Sequence, residues 1–272
     1  MKGNIGFIGG GVMGEAMIKG LLDKGLVAPD QVLVAEPVPA RRATLQKTYS
    51  IAVTERARDV AQNAETVVLA VKPQSLPEVM ADLMGALSPS QLLVSIIAGA
   101  TLATLTSGSG HLTAVRVMPN TPAQIGQGIS GWTATPSVTQ EQKSAVQTIL
   151  SALGDEIYVA EERYLDMVTA VSGSGPAYVF LFIEAFIDAG VHIGLSREMA
   201  ERLVLQTVAG SARFALESKR HPAELRNMVT SPGGTTTEAL LRLEEAGLRA
   251  AMTNAVIAAF QKSVLLGAPK EH

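Results

Sequence analysis

Residues 4–14 read NIGFIGGGVMG, a short apolar run that meets glycines at positions 9, 11 and 14. The apolar run predicts a buried strand, and residues 15–24 predict the helix that follows it. Between a strand and a helix, Gly9 would allow a tight turn, Gly11 would let a phosphate approach the backbone, and Gly14 would let the two elements pack closely. A glycine-rich turn alone has little specificity, but this context is typical of a turn that holds a dinucleotide pyrophosphate at a helix N-terminus.

The first 160 residues alternate short apolar runs with amphipathic segments. The runs are continuously apolar, as in strands that are buried on both faces of a parallel sheet. We therefore predict a mainly parallel α/β sheet with helices on both faces. The predicted strands are 4–8, 31–35, 66–71, 92–97, 114–118, 128–133 and 156–159.

From about residue 163 onward, apolar residues return at three- and four-residue spacing, which predicts helices. We expect glycine-rich breaks at 172–175 and 231–234, and helix ends at Gly190 and Gly247. The predicted helices are 176–189, 196–218, 222–229, 235–246 and 248–266.

The change of pattern predicts two domains. Residues 1–160 would form an α/β, Rossmann-type dinucleotide-binding domain, and residues 161–272 an all-α C-terminal domain. The helical half is so apolar that we expect it to serve as a dimerisation domain in a homodimer.

Composition narrows the class of function. The 272 residues are 47% hydrophobic and carry a net charge of -3 without a basic stripe, which argues against nucleic acid and anionic membranes as partners. The absence of cysteine excludes disulfides and thiolate chemistry, and four scattered histidines do not suggest a metal site. Residues 177–187 are too few to span a bilayer, and the N-terminus does not resemble a signal peptide. We expect a cytoplasmic oxidoreductase.

An acidic residue, Glu36, follows the second predicted strand. At this distance from the glycine turn, an acid binds the ribose hydroxyls of NADH and repels the 2′-phosphate of NADPH. However, Arg41 and Arg42 follow closely and could pair with such a phosphate, although they fit a solvated helix face equally well. The cofactor is therefore NADPH or NADH, and Glu36 favours NADH.

Further loops suit ligand contacts. Residues 70–73 and 95–99 follow predicted strands, and ligands of open α/β sheets lie at the carboxyl ends of strands. Residues 231–237 read SPGGTTT before a predicted helix, so that backbone N–H groups and hydroxyls could bind a carboxylate. An ordinary loop with a helix N-cap fits this composition equally well.

Six segments together resemble the pyrroline-5-carboxylate reductases, and the resemblance covers nearly the whole chain. The segments are FIGGGVMG (7–14), AVKP (70–73), MPNTP (118–122), SGSGPAY (172–178), HP (221–222) and SPGGTT (231–236). The last is the most specific to this family. The resemblance implies reduction of 1-pyrroline-5-carboxylate to L-proline by NADPH or NADH, the last step of proline biosynthesis, a branch of amino-acid biosynthesis.

The resemblance also implies an assembly. Family members are dimers held by the helical domain, and several form rings of five dimers, so this chain would be a homodimer or a homodecamer. The active site would lie between the cofactor domain of one subunit and the helical domain of its partner.

Carried over by position, the resemblance implies a set of site residues. Cofactor contacts would come from Gly9, Gly11, Val12, Met13, Gly14, Val71, Lys72, Pro73, Ile96, Ile97, Ala98 and Asn120, in addition to Glu36. Substrate contacts would come from Ser231, Gly234, Thr235, Thr236 and Glu162. Thr236 would be the catalytic residue that reaches the ring nitrogen. Whether Glu162 or Glu161 lies at the edge of the substrate stays open.

Two positions depart from relatives. Met228 stands where some relatives carry an asparagine, so a polar substrate contact from that position is absent or replaced. Glu36 stands where some relatives place a small polar residue that binds the 2′-phosphate of NADPH.

The residues of the chain favour reduction of an imine over oxidation of an alcohol. Oxidation of an alcohol needs a base, and a two-domain 3-hydroxyacid dehydrogenase of similar layout uses a lysine early in its second domain. This chain has no lysine between Lys143 and Lys219, and we expect His192 to lie in the core. The alternatives, another imine or 3-hydroxyacid dehydrogenase of this architecture or a non-catalytic nucleotide-binding regulatory protein, are therefore less favoured than an imine reductase.

Overall fold

The computed structural model describes residues 3–268 and has a single sheet of eight strands in this region. The strands are β1 (Ile5–Ile8), β2 (Val32–Ala35), β3 (Ala52–Thr54), β4 (Thr66–Leu69), β5 (Leu92–Ser95), β6 (Ala114–Met118), β7 (Gly128–Ala134) and β8 (Gly154–Tyr158). Their order is β3-β2-β1-β4-β5-β6-β7-β8, and neighbours are parallel except for the antiparallel pair β6 and β7. The predicted mainly parallel sheet is confirmed, with β3 as a strand that we did not predict.

Helices cover both faces of the sheet and make up the second half of the chain. They are α1 (Val12–Asp23), α2 (Pro39–Tyr49), α3 (Ala57–Asn63), α4 (Leu76–Leu83), α5 (Leu102–Ser109), α6 (Gln140–Ser151), α7 (Tyr164–Val168), α8 (Gly175–His192), α9 (Arg197–Ser218), α10 (Pro222–Met228), α11 (Thr235–Glu245) and α12 (Leu248–Gly267). The described residues beyond β8 contain no strand, as predicted.

The sheet separates two apolar core clusters, and a third, smaller cluster lies in the helical half. Phe7 of β1 and Val94 of β5 belong to one cluster, while their chain neighbours Ile8 and Leu93 belong to the other. Successive residues of a strand point to opposite faces, so both faces of the central strands are buried. This burial explains why these strands are continuously apolar in sequence.

The register of the parallel strands brings their carboxyl ends to one edge. Ile8 pairs with Ala35 on one side and with Leu69 on the other, and Leu69 pairs with Ser95. The turn after β1 and the loops after β2, β4 and β5 therefore leave the sheet at the same edge.

The predicted glycine-rich break at 172–175 is wrong. Residues 169–173 form a π-helical turn between α7 and α8, in which the Ser174 N–H donates to the Thr169 carbonyl at 2.8 Å. Pro176 has no N–H to donate within the helix, and a widened turn just before it accommodates that loss.

Gly190 lies inside α8 and does not end it, contrary to our prediction. A Cβ at Gly190 would lie 3.1 Å from the Cβ of Ala200 on α9, so the glycine permits close packing of these two helices. His192 ends α8 and is exposed in the chain, so its expected place in the core is also wrong. Gly247 has a φ of 74° just after α11, in agreement with a helix end.

The chain forms two compact units. One contains the described residues up to Ser174 together with residues 259–268, and the other is Gly175–Ala258. Residues 161–174 belong by packing to the α/β unit, because α7 lies on the sheet, with Val168 directly beside Gly131 of β7. As a boundary between cofactor and substrate functions, the division at residue 160 stays a prediction.

One helical stretch of the described chain, Tyr164–His192, is long and apolar enough to cross a membrane by length and composition. The break that we had placed at 172–175 made this region look shorter. Only 11% of its most apolar window is buried within the chain. A single stretch of this kind is weak grounds for a membrane segment, and a helix that packs against a second protein copy exposes the same kind of surface.

Candidate active site

The glycine turn after β1 is shaped by close backbone contacts. Gly9 has a φ of 103°, and a Cβ there would lie 2.7 Å from the Ala70 carbonyl oxygen. A Cβ at Gly14 would lie 2.4 Å from the Gly9 carbonyl oxygen. Neither position can carry a side chain without a shift of the backbone. Gly9 therefore lets the turn lie against the loop after β4, and Gly14 lets α1 lie against the end of β1.

Gly11 is different, since a Cβ at this position would meet nothing within 4 Å among the described atoms. Gly11 is the N-cap of α1 and supplies no side chain to cap the first N–H groups of the helix. Those groups have no partner within the helix. An open space in front of them suits an anion, so the residues present fit the pyrophosphate of a dinucleotide.

Glu36 lies at the carboxyl end of β2, beside the glycine turn, and is 8% exposed. Its Oε2 accepts a hydrogen bond from the Gly10 N–H at 3.0 Å, and its Oε1 accepts one from the Val38 N–H at 3.0 Å. The structure thus brings the predicted ribose-binding acid to the predicted pyrophosphate turn.

The two arginines that follow Glu36 are held by protein atoms. Arg41 donates from Nε to the Gly10 carbonyl at 2.7 Å and from Nη2 to Glu15 of α1. Arg42 donates from Nη1 to the carbonyls of Glu36 and Pro37. The sequence left open whether these side chains lie on a solvated face, and the structure shows both in contacts around the end of β2.

Glu15, which pairs with Arg41, has a second partner in Tyr49. Its other carboxylate oxygen accepts a hydrogen bond from the Tyr49 hydroxyl at 3.0 Å. Partial burial acts to raise the pKa of Glu15, but the hydrogen bonds from Arg41 and Tyr49 and the charge of Arg41 outweigh it and lower that pKa. Burial, followed by the hydrogen bond to Glu15, raises the pKa of Tyr49 to about 12. Glu15 is therefore an anion paired with Arg41.

The other predicted cofactor residues follow neighbouring strands of the sheet. Lys72 is exposed and directly precedes a 3₁₀ turn, Pro73–Ser75, after β4, while Ile96, Ile97 and Ala98 follow β5. Asn120 follows β6, and its Oδ1 accepts a hydrogen bond from the Ile129 N–H at 3.0 Å, which fixes the loop to β7. The common carboxyl edge of β1, β2, β4, β5 and β6 collects these residues.

Residues 231–237 form a closed turn at the start of α11. The Gly234 N–H donates to the Ser231 carbonyl at 3.0 Å, and the Thr237 hydroxyl donates to the same carbonyl at 2.7 Å. Gly234 is the N-cap of α11, so the N–H groups of Thr235 and Thr236 stand at the helix N-terminus. The turn lies in the helical unit, and its predicted contact with substrate stays a prediction.

Glu162 already has protein partners. Its Oε1 accepts hydrogen bonds from the Arg116 guanidinium at 2.9 Å and from the Leu102 N–H, the first of α5, at 2.8 Å. Glu161, in contrast, pairs with Arg163 at 2.8 Å on the surface. These contacts give Glu162 a structural role in the α/β unit, and its contact with substrate stays a prediction.

Two charged residues of the site and its surroundings, Glu15 and Arg116, were not predicted from the sequence. Glu15 follows the glycine motif directly, and an acid in the first turn of this helix is the signal that could have marked it. Arg116 interrupts the apolar run AVRVM at 114–118, and a charge inside a buried strand requires a partner.

Two family models match the chain. The model for pyrroline-5-carboxylate reductase dimerisation matches residues 162–266, and the model for NADP oxidoreductase, coenzyme F420-dependent, matches residues 4–99. The first confirms that the helical half is of a dimerisation type, and the second that the α/β half is of a nucleotide-binding type.

Individual relatives match over nearly the full length. The pyrroline-5-carboxylate reductase of Synechocystis is 44% identical over 267 residues, which are 98% of this chain and 99% of the relative. The solved structure of a pyrroline-5-carboxylate reductase from Coxiella burnetii has a TM-score of 0.92 and 37% identity, over 99% of this chain and 100% of the other. The Plasmodium falciparum pyrroline carboxylate reductase, solved with NADP bound, has a TM-score of 0.90 and 34% identity, over 98% and 99%. The chain belongs to the pyrroline-5-carboxylate reductase family.

Proposed function

We propose that this protein reduces 1-pyrroline-5-carboxylate to L-proline with NADPH or NADH, the last step of proline biosynthesis. The observation that carries the proposal is the 44% identity over 98% of the chain, in which both the glycine turn and the SPGGTT segment are intact. The reaction consumes the imine, one hydride and one proton, and it yields the ring amine and the oxidised coenzyme.

The coenzyme would be held at the carboxyl edge of the sheet. Gly9, Gly11, Val12, Met13 and Gly14 would hold the pyrophosphate, while Val71, Lys72, Pro73, Ile96, Ile97, Ala98 and Asn120 would border the rest. When bound, the reduced nicotinamide supplies the hydride. The open space at Gly11 and the N-terminus of α1 support this assignment.

NADH would be the preferred coenzyme. The Glu36 carboxylate stands beside the glycine turn, where it can accept hydrogen bonds from ribose hydroxyls and would repel a 2′-phosphate. Each carboxylate oxygen has a second lone pair, so the backbone bonds that Glu36 already makes leave it able to accept more.

The substrate would be held by the turn at the start of α11. The N–H groups of Thr235 and Thr236 and the Ser231 hydroxyl would bind the carboxylate at the helix N-terminus. Gly234 would leave room for that hydroxyl, because a Cβ there would lie 2.5 Å from the Ser231 Oγ. Thr236 would hydrogen-bond the ring nitrogen and orient it. A threonine hydroxyl is a poor acid, so the substrate would arrive as the protonated iminium and most of the rate gain would come from orientation.

The assembly and location also belong to the proposal. Two copies would pair through the helical half, either as a homodimer or as the unit of a ring of five dimers. In this arrangement the coenzyme bound to one subunit would transfer its hydride to substrate held by the partner subunit. The enzyme would work in the cytoplasm.

A two-coenzyme assay tests the proposed reaction. Chemically prepared 1-pyrroline-5-carboxylate would be added to the purified protein, and the loss of absorbance would be followed separately with NADH and NADPH. We expect turnover with a higher kcat/KM for NADH. If the protein oxidised neither NADH nor NADPH, the proposed reaction would be refuted. A higher kcat/KM for NADPH would refute the proposed preference for NADH.

The Thr236→Ala variant tests the substrate turn. Loss of one hydrogen bond to the ring nitrogen should lower kcat/KM for the imine by about tenfold, while NADH binding stays unchanged. The Thr236→Ser variant keeps the hydroxyl and should retain most of the activity. Steady-state kinetics and NADH titration check both, and wild-type turnover by Thr236→Ala would show that the residue is wrongly assigned.

A further inference from the structure

We infer that Glu15 is a specificity-determining residue for the coenzyme, because it keeps the Arg41 guanidinium from pairing with a 2′-phosphate. The inference rests on one part of the proposed function, the assignment of the adenosine half of the coenzyme to the glycine turn. It assigns a role in NADH selection to a residue of α1 that acts through Arg41.

Two contacts hold the Arg41 guanidinium in place. Its Nη2 pairs with Glu15 and its Nε donates to the Gly10 carbonyl, while the Gly10 N–H donates to Glu36. The side chains of Arg41 and Glu15 are each 29% exposed, so the pair is partly shielded from water. A shielded ion pair in a network holds its geometry better than an exposed one.

Tyr49 fixes the position of Glu15. Its hydroxyl donates to the oxygen of Glu15 that does not face Arg41. Glu15 is thus held from two directions, and Arg41 would have to break a charged contact before it could turn toward a phosphate.

Arg42 offers no substitute cation. Its Nη1 donates to the carbonyls of Glu36 and Pro37, and its Nη2 lies 3.5 Å from Glu55. A 2′-phosphate at the end of β2 would therefore meet the Glu36 carboxylate and an Arg41 whose charge is already balanced by Glu15. Repulsion by Glu36 and the neutralised charge of Arg41 both disfavour NADPH. Only the position of Glu36 could be recognised from the sequence.

Glu15→Gln separates the effect of Arg41 from that of Glu36. The amide keeps the size of the side chain and can still accept from Arg41, but it removes the balancing charge. Arg41 would then carry a net positive charge beside Glu36 and could pair with a phosphate through charge-assisted hydrogen bonds.

The probes are 2′,5′-ADP and 5′-AMP, which differ only by the 2′-phosphate, and calorimetric titration of the full chain gives both affinities without turnover. Glu15→Gln should raise the affinity for 2′,5′-ADP relative to 5′-AMP by about tenfold, the size of one charge-assisted hydrogen bond. Glu55→Gln is the matched control, because it removes one carboxylate beside Arg42 and should leave the ratio unchanged. An unchanged ratio in Glu15→Gln, or an equal rise in Glu55→Gln, would overturn the inference.

A double variant tests whether Arg41 carries the effect. Arg41→Met in the Glu15→Gln background removes the cation that the first change leaves unpaired, so it should return the 2′,5′-ADP to 5′-AMP ratio to the wild-type value, and retained 5′-AMP binding shows that each variant is folded. A gain that survives in the double variant would show that another group pairs with the phosphate, and would overturn the inference. A protein that binds both nucleotides but does not reduce the imine would refute the proposed function and leave this inference standing.

Discussion

Arg116 shows how a single charge can organise several elements. It is 4% exposed in β6, and its guanidinium lies 2.9 Å from Glu162 and 3.4 Å from Asp166. Asp166 also accepts a hydrogen bond from the buried Ser263 hydroxyl of α12 at 2.8 Å, and Glu162 accepts one from the Leu102 N–H. One cation thus ties α5, α7 and the last helix to the sheet.

Arg116→Met should lower the free energy of unfolding by up to about 3–5 kcal/mol, because two partly buried carboxylates lose their buried cation. Urea denaturation at a fixed protein concentration measures this change. Arg163→Met removes an arginine from the exposed pair with Glu161 and should have little effect on stability. Equal losses in the two variants would mean that burial of Arg116 does not set the energy of the cluster.

Sequence reasoning at single residues succeeded where the signal is local. Glu36 could be placed because its position follows from the end of β2 and the distance to the glycine turn. The pair of Glu15 and Arg41 could not be predicted, because the two residues are 26 positions apart and meet only when α1 and α2 pack on the sheet. The partners of Glu162 were missed for the same reason.

The turn from β1 to α1 offers a test that separates folding from coenzyme binding. Gly11→Ala places a methyl group in open space, so the melting temperature should not change, but the methyl would stand where a pyrophosphate approaches. NADH affinity should fall by about tenfold or more, from loss of charge-assisted hydrogen bonds. Thermal melts and NADH titration check the two expectations.

Gly14→Ala is the counterpart, because its methyl group would lie 2.4 Å from the Gly9 carbonyl oxygen and force α1 away from β1. Overpacking of this kind costs about 1–3 kcal/mol, so this variant should lose stability as well as NADH affinity. If Gly11→Ala destabilised the protein as much as Gly14→Ala, the space at Gly11 would have a structural role instead of a binding one.

The strands that are most buried were the most predictable. Strands β1, β4 and β5 are buried at every residue and read as continuous apolar runs. The strand β3 has three residues that are exposed or half-buried, so its sequence carried no such signal. The π-helical turn at 169–173 was read as a break because glycines weaken a helix locally, while packing on the sheet maintains this one.

The two-part organisation was visible in the sequence because the hydrophobic period changes near residue 163. The packing boundary was not, since residues 259–268 return to the α/β unit. That return depends on contacts such as Ser263 with Asp166, which are 97 residues apart. Periodicity reports which helices form, but it carries no information on where the last one packs.

The exposed apolar surface of the helical unit predicts the oligomeric state. Phe180 and Leu181 of α8 are 61% and 67% exposed in the chain, within the segment that matches the dimerisation family model. We expect the wild type to have at least twice the 28.4 kDa mass of the chain, and Leu181→Arg to yield monomers, because an arginine in an apolar interface lacks a partner. Light scattering after gel filtration measures both, and Leu112→Arg, at a 71% exposed position of the α/β unit, is the control that should keep the assembly. If the active site is shared between subunits, the Leu181→Arg monomer should still bind 5′-AMP but lose turnover. A monomeric variant with full activity would contradict the shared site, and an intact oligomer would place the interface elsewhere on the helices.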